Sequence, residues 1–263
     1  MNDLTKIFAS EDIWYLLLAL LSAAIVSCVA TPLVKVLAVK YGAVDVPKDN
    51  RRMHDHPIPR MGGLAIFIGF MASMFLFMNL DAPKIGMLAG AVIIVILGVL
   101  DDKYALPAKP KFLVQIIAAV IAVMAGNRID VLSNPNIFSS EAVWHLGWLA
   151  YPVTVIWIVA ITNAVNLIDG LDGLACGVST ISSATMLMIA MRFSELDVAV
   201  MMAALVGACV GFLPYNFNPA KIFMGDTGST FLGFILATVS VTGLFKLYAI
   251  ISFVVPFIIL GFP

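Results

Sequence analysis

The sequence is poor in charge. Only 12% of its 263 residues are Asp, Glu, Lys or Arg, whereas 62% are hydrophobic and the mean hydropathy is +1.04. A soluble domain usually has about 25% charged and about 45–50% apolar residues, so this composition excludes a water-soluble fold. The 15 basic and 16 acidic residues give a net charge of -1, which supplies no overall field to attract nucleic acid.

Cysteine is also scarce. The chain has three, Cys28, Cys176 and Cys209, and all lie in apolar runs without CxxC or Cys/His spacing. The sequence therefore indicates neither a disulfide framework nor a zinc site. No internal repeat or Pro/Ser-rich linker divides the chain, and we expect a single domain over residues 1–263.

Long charge-free windows are abundant. A membrane-spanning helix needs about 20 apolar residues, with about 17–25 tolerated. Nine windows approach or reach this length, at residues 13–34, 61–80, 85–100, 112–127, 142–168, 173–191, 198–220, 227–245 and 247–263. None alternates apolar and polar residues as barrel strands do. The sequence predicts an all-α fold, a polytopic membrane helical bundle with nine spans.

The connections between these windows divide unequally in charge. If the nine spans alternate, segments 35–60, 101–111, 169–172 and 215–226 share one face of the membrane. That face holds ten of the fifteen cations, and the positive-inside rule makes it cytoplasmic.

Two acidic stretches on that face are candidate sites. Asp101 and Asp102 end the third window, where adjacent carboxylates repel each other unless a cation is present. They are either a solvated helix stop or a site facing a divalent metal. Further along, Asn163, Asn166 and Asp169 share a helical face that Asp172 continues. Such a polar stripe leaving an apolar span is costly against lipid, so we expect it to face a cavity.

Two glycine-containing stretches complete the set. Residues 213–229 carry Asp226 between glycines, just before a predicted helix whose free N–H groups suit a phosphate. Asp226 is either an N-cap or a hard oxygen ligand for Mg²⁺. Residues 51–63 are either a positive-inside loop or a phosphate contact made by Arg51, Arg52 or Arg60. His54 and His56 lack a third metal ligand nearby.

Three of these stretches resemble a known family. DDKYAL, NAVNLIDGLDGLA and KIFMGDTGSTFLG are similar to the cytoplasmic signatures of the polyprenyl-phosphate N-acetylhexosamine-1-phosphate transferases. The residues around Arg60 and Asp226 resemble the N-acetylglucosamine branch rather than the muramyl-pentapeptide branch. The resemblance implies UDP-N-acetylglucosamine as donor, undecaprenyl phosphate as acceptor, UMP as product and Mg²⁺ as cofactor, with Mn²⁺ as an alternative. It also implies a homodimer in the cytoplasmic membrane.

The resemblance assigns roles residue by residue. It implies that Asp226 holds the metal with Asn166 beside it, and that Asp101 and Asp102 are catalytic because they orient or deprotonate the lipid phosphate. It implies that Phe223 stacks on uracil and that Lys111 contacts phosphate. With Arg60 added from the loop argument, the expected substrate-binding residues are Lys111, Asn166, Asp169, Asp172, Asn216, Phe223 and Arg60.

One departure from the family pattern is expected to matter. Family members continue past the ninth span into a histidine-rich loop and a tenth span, whereas this sequence stops at Pro263 while still apolar. We therefore expect a chain that is incomplete at its C-terminus and that binds substrate poorly or is inactive.

Several alternatives stay open. The muramyl-pentapeptide donor would keep the same chemistry, and a covalent aspartyl-phosphate relay would replace direct attack by the lipid phosphate. A prenyl-transferring enzyme would need a second aspartate-rich motif, which the residues after Asp102 do not supply. A transporter would place its ionisable residues near the bilayer midplane rather than at span ends. A non-catalytic membrane scaffold would be insensitive to the loss of Asp102 or Asp226 except in stability.

Overall fold

Helices account for most of the chain in a computed structural model, which describes residues 10–46, 57–133 and 143–242. Eight α-helices lie in these ranges: α1 (Ser10–Tyr41), α2 (Gly63–Phe77), α3 (Ala82–Tyr104), α4 (Ala108–Met124), α5 (Ala150–Ile168), α6 (Leu174–Arg192), α7 (Leu196–Asn216) and α8 (Gly225–Thr242). Each corresponds to one of the first eight charge-free windows, so the helical architecture is confirmed. The ninth window, Arg51, Arg52, His54 and His56 lie outside the described residues.

Five stretches in the described ranges are long and apolar enough to cross a bilayer: Asp12–Tyr41, Ala82–Tyr104, Gly147–Ile168, Leu174–Arg192 and Leu196–Asn216. Gly63–Phe77 is a shorter apolar helix. The side chains of α1 that point away from the bundle are large and apolar, including Trp14 and Leu33. An apolar outer surface of this kind suits lipid rather than water, and the chain is a multi-pass membrane protein.

The bundle is built around α7 and α8, which are the helices with the most buried residues. Gly207 and Gly211 lie one turn apart on α7, and a Cβ on either would approach the α1 carbonyl oxygens of Leu20 or Ala24 to 2.0 and 2.2 Å. Small residues at this spacing let two membrane helices pack closely. The face of α7 is therefore filled by α1 within one chain.

Two short antiparallel strand pairs, which the sequence did not predict, join the helices. β1 (Val44–Asp45) pairs with β2 (Ile58–Pro59), and β3 (Val131–Ser133) pairs with β4 (Val143–His145). β4 and a 3₁₀ turn at Gly147–Leu149 occupy the start of the predicted fifth span. The α-helix there begins at Ala150 instead of residue 142.

The acidic pair lies inside a helix. The third window was predicted to end at residue 100, but α3 continues to Tyr104 and ends with Ala105 in the left-handed conformation. Asp101 and Asp102 therefore belong to the last turn of α3, and both are buried. Their side chains leave the helix toward α4 and α8, so this turn positions the candidate site.

The contact of α3 with α8 depends on Gly98. A Cβ at this position would lie 2.4 Å from Cα and 2.6 Å from N of Thr227. Because backbone atoms cannot move aside as a flexible side chain does, we expect Gly98→Ala to lower the free energy of unfolding by about 1–3 kcal/mol. Detergent-based equilibrium unfolding measures this change.

Gly177→Ala is the matched control. Gly177 also lies within a helix, and nothing lies within 4 Å of its would-be Cβ. This substitution should leave stability unchanged or raise it by up to about 1 kcal/mol, since Ala favours the helix over Gly. Equal stability of the two variants would contradict the close packing of α3 on α8.

Candidate active site

Charged side chains from three of the predicted cytoplasmic segments meet at one end of the bundle. The Lys111 Nζ lies 2.7 Å from Oδ2 of Asp101 and 3.1 Å from Oδ2 of Asp226. On the other side, Arg60 Nε lies 3.5 Å from Asp102 Oδ1, and Arg60 Nη2 lies 3.9 Å from Asp226 Oδ1. We call these five residues the charged cluster. The prediction that these segments share one face agrees with this arrangement.

Backbone hydrogen bonds fix the segment that carries Arg60. The Phe223 N–H donates to the Pro59 carbonyl at 2.8 Å, and the Gly63 N–H donates to the Met224 carbonyl at 2.8 Å. The chain entering α2 is thereby joined to the chain entering α8. Arg60 is held beside Asp102 on α3 and Asp226 on α8, and its side chain stays accessible at 35% exposure.

Asp102 accepts hydrogen bonds from the first turn of α8. Its Oδ1 accepts from the Asp226 N–H at 2.9 Å, and its Oδ2 accepts from the Thr227 N–H at 3.1 Å and the Thr227 hydroxyl at 2.6 Å. Its side chain is 0% exposed. A carboxylate at a helix N-terminus is favourable because it meets unpaired N–H groups and the positive end of the dipole.

This contact changes the expected use of the α8 N-terminus. The sequence predicted N–H groups there that were free for a phosphate, but Asp102 already accepts from those of Asp226 and Thr227. Gly225 makes room for the carboxylate: its φ is +71°, and a Cβ would lie 2.5 Å from both Asp102 oxygens. The glycine before Asp226 therefore serves the α3–α8 contact.

Asp101 makes different contacts from its neighbour. One oxygen accepts from the Leu106 N–H at 2.7 Å, and the other accepts from Lys111. Lys111 therefore bridges Asp101 and Asp226 across the gap between α3 and α8. Both Asp101 and Lys111 line a cavity, whereas Asp102 is not part of its lining.

The cavity has a volume of about 440 Å³ and lies between α3, α4, α5 and α8. Its polar lining brings together Asp101, Asp226, Lys109, Lys111 and the amides of Gln115, Asn163 and Asn166. Leu97, Ala108 and Phe112 supply apolar wall. A pocket with an apolar wall and convergent polar groups is typical of a ligand site, and its charged end suits a phosphate.

Asn166 joins α5 to the charged cluster. Its Nδ2 donates to Ser229 Oγ at 2.8 Å, and Asn166 lines the cavity together with Asp226. Asn163, one turn earlier, donates to Gln115 Oε1 at 2.6 Å and to the Val159 carbonyl at 2.8 Å. Of the predicted polar stripe, Asn163 and Asn166 line the cavity, whereas Asp169 and Asp172 do not.

Asp169 follows α5 and is surrounded by other carboxylates. Its removal from water and the negative charges of Asp226 and Asp102 raise its pKa from 3.8 to about 7, although Arg60 opposes the shift. A group with such a pKa exchanges a proton near neutral pH.

Asp172, between α5 and α6, and Asn216, the last residue of α7, contact the loop that holds Phe223 before α8. Asp172 Oδ2 accepts from the Asn218 side-chain amide at 3.1 Å and from the Ala220 N–H at 3.0 Å. Asn216 is buried and donates to the Ile222 carbonyl at 3.1 Å. These contacts order the loop that leads to Phe223 and Asp226. None of the three residues lines the cavity.

Sequence reasoning did not single out Gln115 and Thr227 as site residues. Gln115 is buried on an otherwise apolar stretch of α4, one turn after Lys111. A polar residue within a predicted membrane span often has a function, and this signal in the sequence could have identified Gln115. Thr227 was treated only as part of a helix start, since its partner Asp102 is 125 residues away in sequence.

The residues present fit a hard divalent cation. In the part of the chain that the structure describes, His, Cys, Asp and Glu form no group of three arranged to hold a metal. However, Mg²⁺ is usually bound by one or two protein carboxylates together with substrate phosphates. Asp226 and Asp101 carboxylate oxygens line one cavity with Asn166, and this donor set matches that chemistry.

The Asp102 contact can be measured by a double-mutant cycle. Asp102→Asn places an amide NH₂ against backbone donors, and Thr227→Val removes the hydroxyl donor. Each should lower the free energy of unfolding by about 1–3 kcal/mol, as expected when a buried hydrogen-bonding group loses its partner. The two losses should be non-additive by at least about 0.5 kcal/mol. Asp130→Asn, at an exposed carboxylate, serves as control, and additive losses would contradict the contact.

The raised pKa of Asp169 predicts that the stability of the protein depends on pH. Because its folded pKa lies above its unfolded value of 3.8, the folded chain retains a proton that the unfolded chain has lost between about pH 4 and 7. Its contribution to stability therefore falls as pH rises through this window and stays constant above it. Asp169→Asn should remove this part of the slope, as measured by thermal unfolding at pH 5 and 8 with a chelator present. Parallel curves for the two proteins would contradict the shift.

A family model and individual known proteins both match this chain, and they agree on one family. Residues 84–244 match the model of Glycosyl transferase family 4. A probable undecaprenyl-phosphate N-acetylglucosaminyl 1-phosphate transferase of Bacillus subtilis is 49% identical over 236 residues, which are 89% of this chain and 65% of that protein.

More distant relatives agree with this match. A decaprenyl-phosphate N-acetylglucosaminephosphotransferase of Mycobacterium tuberculosis is 41% identical over 84% of this chain and 59% of its own length. A phospho-N-acetylmuramoyl-pentapeptide-transferase of Listeria monocytogenes is 34% identical over 77% and 67%. The chain thus spans about two thirds or less of the first two relatives. The chain belongs to glycosyl transferase family 4.

Proposed function

We propose that the protein transfers N-acetylglucosamine-1-phosphate from UDP-N-acetylglucosamine to undecaprenyl phosphate. The observation that carries this proposal is the Lys111 bridge between Asp101 and Asp226 at the charged end of a partly apolar cavity. A reaction between two phosphorylated substrates, one of them a lipid, needs cations for phosphates beside an apolar surface. The relatives named for N-acetylglucosamine transfer to polyprenyl phosphates support the same substrates.

The reaction is a substitution at phosphorus. A phosphate oxygen of the lipid forms a bond to the phosphorus that carries the sugar, and the bond from that phosphorus to the bridging oxygen breaks. UMP leaves with the electron pair, and the lipid carries the sugar on a diphosphate. Because a lipid phosphate is already largely ionised at neutral pH, the enzyme needs positioning and charge neutralisation more than a strong base.

The charged cluster divides these tasks. Lys111 and Arg60 neutralise the phosphates, and Asp101, at the cavity wall, orients the lipid phosphate or accepts its proton. Asp102 acts through α8, because its oxygens accept from the Asp226 and Thr227 N–H groups and its side chain is fully buried. It positions Asp226 instead of touching substrate.

Asp226 and Asn166 are the residues that would hold Mg²⁺, with Mn²⁺ as the alternative ion. When bound, the metal would neutralise charge on the diphosphate. Asp169 adjusts the charge of the site, while Asp172 and Asn216 order the loop that carries Phe223. The family resemblance assigns the Phe223 ring to stacking on uracil.

The cellular setting follows the charge distribution. We place the protein in the cytoplasmic membrane with the charged cluster on the cytoplasmic face, where the cations of its connections concentrate. The reaction would be a first membrane step in cell-envelope polysaccharide synthesis. A homodimer remains part of the proposal, supported only by the family resemblance.

The muramyl-pentapeptide donor is the second candidate. The 34% identity to the Listeria monocytogenes transferase favours it less than the 49% identity to the Bacillus subtilis protein favours N-acetylglucosamine. Purified protein offered each donor with the same lipid acceptor separates the two functions. Transfer from the muramyl-pentapeptide donor alone would contradict the main proposal.

The charged cluster predicts that loss of either Asp101 or Lys111 lowers the rate of sugar-phosphate transfer. Asp101→Asn and Lys111→Met should each lower kcat by about 10²–10³-fold, because each removes a group that acts on a phosphate in the transition state. Removal of divalent cations with a chelator should abolish transfer. The measurement is the incorporation of radiolabelled N-acetylglucosamine into lipid by purified protein in detergent micelles.

Lys103→Met is the matched control for Lys111→Met. Lys103 lies close to the cluster in sequence but is exposed, with its ammonium 4.7 Å from the Tyr104 ring centre. This variant should keep kcat within about twofold. A donor-only incubation completes the design, since a covalent relay would release UMP without lipid. Full activity of both cluster variants would contradict the proposed site.

A further inference from the structure

We propose that Gln115 is a further substrate-positioning residue, whose side-chain amide donates a hydrogen bond to an anionic phosphate oxygen of a substrate. Gln115 lines the cavity, is 4% exposed, and lies one helical turn after Lys111 on α4. This inference rests on the proposed function only for the identity of the phosphate. The two sources of that oxygen are the lipid acceptor and the diphosphate of the donor.

The hydrogen bonds of Asn163 fix which way the Gln115 amide faces. The Val159 carbonyl can only accept, so Asn163 must direct its NH₂ group toward it, at 2.8 Å. The same NH₂ group meets Gln115 at 2.6 Å. The Gln115 atom there must therefore be the oxygen, which leaves the Gln115 NH₂ group directed elsewhere.

Among the described residues, Gln115 is the amide in the cavity lining whose NH₂ group donates to no other protein group. Three amides line the cavity, and two of them donate within the protein: Asn163 to Gln115 and Val159, and Asn166 to Ser229. Across the described ranges, no protein group accepts a hydrogen bond from the Gln115 Nε2, and this atom is not one of the fully enclosed polar atoms that lack a partner. The NH₂ group therefore reaches the open space of the cavity, where a ligand or water can accept from it.

The position of this donor suits a phosphate held by Lys111. Lys111 and Gln115 are four residues apart and share a face of α4, with about 6 Å of rise between them. The Lys111 ammonium is already paired with Asp101 and Asp226. A phosphate that binds beside these two carboxylates is therefore stabilised by an additional neutral hydrogen-bond donor. Gln115 supplies it without adding a charge inside the bundle.

Two substitutions with different charge test the inference. Gln115→Met keeps the approximate size of the side chain and removes the donor. It should raise the Kd of one phosphate substrate about 10- to 100-fold, as expected for a lost hydrogen bond to a charged group. Gln115→Glu keeps an oxygen for Asn163 but presents a second oxygen to the cavity, and its effect should be larger. A merely structural role would predict the same Kd whether residue 115 is the neutral Met or the charged Glu.

Binding is measured separately from turnover. Purified wild type and variants are titrated with undecaprenyl phosphate alone and with UDP-N-acetylglucosamine alone, and KM is measured for both. A rise confined to the lipid identifies the acceptor phosphate, and a rise confined to the nucleotide sugar identifies the donor. Leu113→Met, at an exposed position of the same helix, should change neither constant. Thermal unfolding in detergent checks that each variant is folded.

The outcomes separate this inference from the proposed function. If the wild type binds undecaprenyl phosphate or UDP-N-acetylglucosamine and Gln115→Met weakens that binding while no sugar is transferred, the function fails and the inference stands. If the wild type transfers the sugar but folded Gln115→Met and Gln115→Glu keep every Kd and KM within twofold, the inference is overturned and the function stands.

Discussion

The carboxylate of Asp102 lies against the first turn of α8, and the position of the other site residues depends on this contact. It joins the end of α3 to the start of α8 through three hydrogen bonds. Asp226 is in that first turn, so its orientation toward Lys111 and Arg60 follows from how the turn is held. Glycines at positions 98 and 225 permit the approach, since a Cβ at either would overlap Thr227 or Asp102.

The balance of charge in the cluster explains why a phosphate would need a divalent cation beside it. Asp101, Asp102 and Asp226 carry up to three negative charges, whereas Lys111 and Arg60 carry two positive ones. Asp102 is neutralised in part by α8 amides. The pKa of Asp169 is raised to about 7, chiefly by its removal from water and further by the nearby carboxylates. The remaining acidity favours a divalent cation, which would in turn accept diphosphate oxygens. Under the proposed function, metal and substrate would therefore support each other's binding.

Much of the fold could be predicted from the sequence because lipid imposes a simple constraint. A spanning helix must lack charge over about 20 residues, and each of the first eight charge-free windows contains most of one described helix. The bounds failed where polarity does not determine conformation. Residues 143–145 are uncharged but extended, and Asp101 and Asp102 are charged but helical, because a helix can continue beyond the apolar core until its end is capped.

The chemistry of the site was harder to predict than its location. Sequence alone indicated that Asp101, Asp102, Asn166 and Asp226 belong to one face, and the structure brings them together. It could not separate Asp101, which lines the cavity, from Asp102, which meets α8, because both hydrogen-bond partners of Asp102 lie more than 120 residues away. Gln115 was missed for the same reason: its partner Asn163 is 48 residues away.

The central claim is that Asp102 acts through α8 while Asp101, Lys111 and Asp226 meet the substrates. A structure of the protein with UDP-N-acetylglucosamine and Mg²⁺ bound tests it most directly. The account predicts that the diphosphate lies in the cavity beside Lys111 and Asp226, and that Asp102 keeps its hydrogen bonds to the Asp226 and Thr227 N–H groups. A complex in which Asp102 has left α8 and contacts the metal or the diphosphate would contradict it.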